Sequence, residues 1–459
     1  MDKQEFARRR AQVMRHIGKD GVAILPAAPQ ALRNRDSEYP YRPDSDFYYL
    51  TGFAEPDAVA VLVPGRLLSA SHLSQHLQNP SRRKQGTYIL FCRERDPKME
   101  IWNGARAGQE GACAIYGADA AYPISEIDKI LPGLLENRRT VFYDMGRQAA
   151  VDQQLLDWIN RVRSKSRSGV SAPTVFSSLS EIVHEMRLLK SNAEVAAMRR
   201  AAVVSAAAHR RAMQACKPGM MEYQIEADLL HEFVREGCRF PAYNSIVGGG
   251  ANACTLHYND NNARLNDGEL LLIDAGAEFN YYAADITRTF PVNGRFNPEQ
   301  KALYELVLAA QYAAIDKVRP GNHWNEPHQA AVRVLTTGLV KLGLLSGKPA
   351  QLIKDEGYRK FYMHRTGHWL GMDVHDVGEY KDGAGAWRVL EPGMVLTVEP
   401  GLYIPAGSEN VPKKWWNIGI RIEDDVLVTK NGNDVLTREA PKTVAEIEAL
   451  MAAAGSGAG

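Results

Sequence analysis

Cysteine is scarce. The 459 residues hold five (Cys92, Cys113, Cys216, Cys238, Cys254), an odd number, nowhere in CxxC spacing. That excludes a disulfide frame and a thiolate zinc site, and implies free thiols in a reducing compartment. An excess of charge of one sign is also missing: 55 basic residues face 54 acidic ones, for a net charge of +1. Nothing general then draws the chain to nucleic acid or to an anionic membrane. No run has the roughly 20 apolar residues of a membrane span. The start, MDKQEFARRR, is charged where a secretory signal needs an apolar core. The triple glycine Gly248 to Gly250 is not followed by Gly-Lys-Ser/Thr, so a phosphate loop is excluded. His364 and His368 have the spacing of a helical zinc motif, but Gly367 and Gly371 disfavour a helix and the glutamate of HExxH is absent. A cytoplasmic, enzyme-sized protein is expected, with 45% apolar and 24% charged residues.

What is present argues for an α/β chain of two domains, since its length exceeds that of one core. A helix over 3–17 leads to the apolar run Gly21 to Leu25, and Ala58 to Pro64 and Tyr88 to Cys92 read as central strands. Between them, Gly65 to Gln85 is a polar insertion, and its His72 and His76 lack acidic or cysteine partners. A strand over 140–144 and a helix over 152–162 follow. Arg163 to Pro173, basic and rich in serine, is the expected linker, dividing an N-terminal domain (1–172) from a second domain (173–442) and a tail (443–459). Helices are expected over 177–188, 192–216, 222–236, 298–317 and 326–342.

The most informative stretch is LLIDAGAEFNYYAADITRTF, Leu271 to Phe290. A two-residue hairpin at Phe279-Asn280 would set Asp274 directly opposite Asp285, with Cβ atoms about 5 Å apart. Two carboxylates that close cannot both stay ionised in a dry interior without a cation. One buried carboxylate is ordinarily explained by a salt bridge. Here Glu399, in the strand MVLTVEPGLY, and Glu423, ending the alternating strand Ile418 to Glu423, raise the number to four, beside a cluster of histidines. Four carboxylates balance two divalent cations, and carboxylate-rich ligation with one imidazole favours Mn²⁺ over a thiolate-type zinc site. Such a centre suits a hydrolase.

The order Asp-x10-Asp, HWLGMDVHDVG, TVEPGLY and GIRIEDD, with YPYRPDSDFYYLTGF near the start, resembles the metallopeptidases of the pita-bread fold, specifically the aminopeptidase P (Xaa-Pro aminopeptidase) family. The resemblance implies an N-terminal α/β domain and a C-terminal pita-bread domain. It implies a hydroxide bridging two metal ions, releasing the first residue of Xaa-Pro-Yaa peptides. Asp274 would hold one metal, His368 and Glu399 the other, and Asp285 and Glu423 would bridge both. His257, His364 and His375 would serve the substrate and the tetrahedral intermediate, with Arg421 supporting a metal-bound carboxylate. Tyr380 would wall the proline pocket, and Trp102 would close the site from a neighbouring subunit of a homo-oligomer. The alternative within the fold is a prolidase, which needs a cation for the dipeptide carboxylate. Arg365, Arg388 and Arg421 are the candidates for that role. Trp369 and the N-terminal signature favour aminopeptidase P. A pita-bread domain serving only as a binding module is disfavoured by the complete set of ligands.

Overall fold

The computed structural model describes residues 2–65 and 86–456. Apart from Gly65, the polar insertion with His72 and His76 lies outside them. The chain divides into two compact units, Met1–Met186 and Arg187–Gly459.

Val59–Pro64 and Gly86–Cys92 are almost wholly buried and apolar, which suits central strands. They pair antiparallel inside a six-stranded mixed sheet. Its strand order is Ala120–Pro123, Gly86–Cys92, Val59–Pro64, Gly21–Pro26, Thr140–Phe142 and Val175–Ser177. Trp158 and Ile159 of helix Ala149–Arg163, with Leu131 and Leu135 of helix Ile127–Leu135, close its core. Arg163 to Pro173 lies within this first unit. It joins that helix to the last strand, whose three residues are too few to show a period.

In the second unit the helices follow the sequence expectation closely. Asn192–Ala215 begins at a capping box of Ser191 and Glu194, and Pro298–Ile315 begins at one of Asn297 and Gln300. Their apolar faces, with those of Glu222–Arg235 and Asn325–Lys341, bury Ala212, Leu229, Val307 and Leu335 in one core. The last helix runs from Val444 to Ser456.

Against this core lie two broken hairpins. In the first, Leu270–Asp274 pairs with Thr287–Pro291, and the chain reverses between Ala277–Phe279 and Tyr282–Ala283. The turn is at Asn280-Tyr281, both with positive φ (51° and 65°), one residue later than the sequence suggested. Asp274 therefore faces Thr287, and Asp285 is its diagonal neighbour. The register differs by two residues, so parity, and with it the shared face, is preserved. Gly276 permits this crossing, because a Cβ there would fall on the Ala284 carbonyl oxygen.

The second hairpin pairs Val395–Val398 with Asp424–Val428, and Gly401–Ile404 with Ile418–Arg421. One register runs through both pairs: Val398 faces Asp424 and Gly401 faces Arg421. Glu399 and Glu423 therefore stand opposite each other in the gap, where the ladder is interrupted at Pro400 and Ile422. Proline cannot donate to a ladder, which places the break on one arm. Both expected strands are thus shorter than a period-2 reading implied, and the two glutamates sit at their interruptions. Glu423 N–H donates to the Thr287 carbonyl at 3.1 Å, which ties the hairpins together.

Candidate metal centre

The two gaps open on a cavity of about 470 Å³ in the second unit. Asp274, Asp285, His368, Glu399 and Glu423 all line it, as do His257, His364, His375 and Arg421. Two sequence candidates lie elsewhere. Tyr380 is not in the cavity wall: its ring stacks on Trp369 (5.7 Å, 3°), and its hydroxyl accepts the Trp369 N–H at 3.3 Å. Trp102 belongs to the first unit, 83% exposed on helix Pro97–Asn103.

At the cavity floor a residue overlooked in the sequence joins the two aspartates. The Tyr243 hydroxyl is 2.6 Å from Asp274 Oδ1 and 2.5 Å from Asp285 Oδ1. A phenol has one hydrogen, so it satisfies one carboxylate at a time. Burial and the surrounding carboxylates push its pKa well above the usual value. Asp274 Oδ2 accepts from Arg421 Nη2 at 2.7 Å, and the same guanidinium donates to Thr287 Oγ1 and the Tyr403 hydroxyl, each at 3.0 Å. Thr287 Oγ1 donates to Glu423 Oε2 at 2.6 Å, and Asp285 N–H donates to Asp425 Oδ2 at 3.1 Å. These hydroxyls carry no signal in the sequence, since a threonine in a strand reads as β propensity.

His368 is fixed at one ring nitrogen. Its Nδ1 contacts the Trp369 carbonyl at 2.9 Å, a bond that requires the hydrogen on Nδ1 and leaves Nε2 as the nitrogen that could ligate a cation on losing its proton. Nε2 lies 3.4 Å from Asp285 Oδ2 and 3.6 Å from Glu399 Oε1. Ligand atoms of Asp285, His368 and Glu423 fall within 4.8 Å of one another, close enough to share one ion. His364 has the same tautomer but is engaged at both nitrogens. Nδ1 donates to the Arg365 carbonyl (2.7 Å), so Nε2 accepts from the Tyr403 hydroxyl (2.9 Å). His375 packs edge-on against His368, with ring centroids 4.4 Å apart. His257 is exposed at the mouth.

The electrostatics explain what this floor accepts. Burial and mutual repulsion push Glu423 well above the ordinary carboxylate range, and burial raises Asp274 and lifts Glu399 to about 7. Burial also acts to raise Asp285, but the His368 hydrogen bond and charge outweigh it and its net direction is down. Burial acts to depress His368, yet Asp285 and Glu399 lift it to about 9. His364 falls to about 3 through burial and the Arg421 charge, although Glu399 Oε2 lies 3.7 Å from its Nδ1. Among the described residues these four carboxylates, Asp285 and Glu423 buried and Asp274 and Glu399 partly so, thus have one guanidinium as fixed counter-charge. Oxygen-rich donors with a single imidazole fit hard or borderline divalent cations, which would replace the protons that the carboxylates otherwise retain.

Donors so arranged serve metal-assisted hydrolysis, and the chain belongs to metallopeptidase family M24. The model of that family matches residues 196–430, and that of the aminopeptidase P N-terminal domain matches residues 6–143. Within the family the chain groups with the Xaa-Pro aminopeptidases. It is 46% identical to the Xaa-Pro aminopeptidase of Escherichia coli (strain K12), over 99% of each chain. Its fold is similar to that of Pseudomonas aeruginosa aminopeptidase PepP (TM-score 0.94, 58% identity, 99% of each chain). It is likewise similar to zinc-substituted E. coli aminopeptidase P in complex with product (TM-score 0.92, 46% identity, 99% of each chain).

Proposed function

We propose that the chain is a metal-dependent Xaa-Pro aminopeptidase that removes the first residue from peptides with proline second. The observation that carries this reading is the convergence on one cavity of His368 and four carboxylates, Asp285 and Glu423 buried and Asp274 and Glu399 partly so, with Arg421 as their only fixed cation among the described residues. Asp274, Asp285, His368, Glu399 and Glu423 would hold two divalent ions, Mn²⁺ by the hardness of the donors. When bound there, the ions supply Lewis acidity and a lowered pKa for water.

The chain's own groups do the rest. Arg421 fixes Asp274, Thr287 orients Glu423, and the Trp369 carbonyl sets the His368 tautomer. His257 and His375 stand at the wall as donors to the substrate carbonyl, and burial together with His368 keeps His375 toward its neutral form. His364, neutral and pinned at both nitrogens, orders Tyr403 and through it Arg421. The scissile nitrogen of an Xaa-Pro bond has no N–H and proline's φ is fixed. The pocket must therefore select by shape, and Tyr380 acts through its stack on Trp369, at the residue following His368. Side by side, Ile101 (82% exposed) and Trp102 leave apolar surface uncovered on the first unit. That supports a homo-oligomer in which this domain limits access to the site. Near-neutral charge and free cysteines support a cytoplasmic setting. Among the described residues no helix is long and apolar enough to cross a membrane.

The test compares turnover of an Xaa-Pro dipeptide with that of Xaa-Pro-Yaa-Yaa, before and after EDTA, with metal add-back. The longer peptide is expected to be preferred, activity to vanish on chelation, and Mn²⁺ to restore it best. Hydrolysis confined to the dipeptide, or activity that survives exhaustive chelation, would overturn the reading.

A further inference from the structure

Two arginines line the cavity, and they differ in one respect. Arg421 is committed to Asp274, as described above. Arg365 also lines the cavity, adjacent to His364, but is exposed and has no carboxylate partner among the described residues. Its guanidinium is held by neutral groups instead: Nη2 donates to Asn325 Oδ1, and the group lies 4.9 Å from the centroid of the Trp387 ring. Lys381 Nζ sits 4.6 Å from the same ring, and it too lacks a carboxylate partner among the described residues. Two cations around one indole repel each other, a cost that an arriving anion would remove.

The cavity is therefore bipolar, with carboxylates at its floor and an orientated, unneutralised guanidinium in its wall. A short peptide is bipolar in the same sense. Its ammonium is attracted to the floor, and its anionic groups are the C-terminal carboxylate and any acidic side chain. Arginine is the residue best suited to hold a carboxylate, through paired N–H donors.

We infer that Arg365 is a specificity-determining residue that reads a carboxylate just beyond the proline, either the C-terminus of an Xaa-Pro-Yaa tripeptide or an acidic Yaa side chain. The inference rests on the aminopeptidase reading above. It makes the chain selective for short or acidic products of upstream endoproteolysis.

Three peptides of one series test it: Xaa-Pro-Gly as the free acid, Xaa-Pro-Gly amide and Xaa-Pro-Asp amide. For the wild-type protein at low salt, kcat/KM is expected to be about tenfold higher for the free acid than for its amide, through KM, as for a charge-assisted hydrogen bond. The Asp amide shows whether a side-chain carboxylate is read as well. Added salt shrinks the preference, because the group is exposed. In Arg365→Gln the acid-to-amide ratio falls to about one. An acid-to-amide ratio near one in the wild-type protein at low salt overturns the inference, as does a ratio unchanged in Arg365→Gln. Failure of every peptide to be cleaved would instead overturn the aminopeptidase reading itself.

Discussion

Glu423 and Asp424 are adjacent, both are buried, and they belong to clusters of opposite electrical character. Asp424 is over-provided with partners. Arg288 Nη2 lies 2.7 Å from Oδ1, Lys442 Nζ 2.6 Å and Gln311 Nε2 2.9 Å from Oδ2, and Thr437 donates to Oδ1 at 2.8 Å. Burial acts to raise its pKa, but Arg288 and Lys442 outweigh that and hold it down at about 2. Glu423 has one threonine hydroxyl and three other carboxylates around it, and its pKa is driven the other way. The first cluster is closed on itself and ties Arg288 to the carbonyls of Ala440 and Pro441. The second is open to a cavity and short of positive charge. Burial alone does not separate a structural carboxylate from a functional one; the local charge balance does.

The strongest way to break that contrast is to remove a carboxylate from each side. Glu423→Ala and Asp285→Ala are expected to lower turnover by at least about 10³-fold, roughly 4 kcal/mol of barrier. Circular dichroism and melting temperature should stay close to wild type. Retained turnover with added Mn²⁺ would mean that the open cluster is not the reacting centre.

Asp424→Asn should do the reverse and act on stability. It leaves Arg288 and Lys442 facing a neutral amide in the interior, at a cost of about 3–5 kcal/mol. Chemical denaturation would measure it. The pH dependence sharpens the point. Asp424 has a folded-state pKa of about 2, below its ordinary 3.8. The unfolded chain therefore takes up the proton first. The contribution is complete above about pH 4 and is lost as pH falls toward 2, to the extent of about 2 kcal/mol. The wild-type and Asp424→Asn stabilities should converge across that window. A constant gap would show that the ion pairs do not govern Asp424.

The same contrast explains how much could be read from the sequence. Acidic residues within apolar runs are unusual, so all four carboxylates were visible, as were the histidines of HWLGMDVHDVG. Pattern alone sets the hairpin turn one residue early, because Asn280-Tyr281 lacks the glycine that marks most such turns. Tyr281 adopts positive φ despite its side chain. The face of Asp285 was still right, since a register change of two keeps parity. The interruptions at Glu399 and Glu423 were not legible, since alternation continues across them and only the pairing shows where the ladder breaks. Tyr243 was missed because it lies in a turn-rich segment with no period to place it. Tyr380 marks another limit: a residue near the site in sequence need not line it, and this one stacks on Trp369 instead.

The measurement that tests the account most directly is equilibrium binding of Mn²⁺ to the chelated protein, by calorimetry and elemental analysis, for wild type and Glu423→Gln. A cluster short of positive charge should take up about two ions per chain and release protons as they bind. Glu423→Gln should bind at least about tenfold more weakly. A wild-type chain that binds no Mn²⁺, or a variant with the same stoichiometry and affinity, would contradict the claim that these four carboxylates form the metal centre.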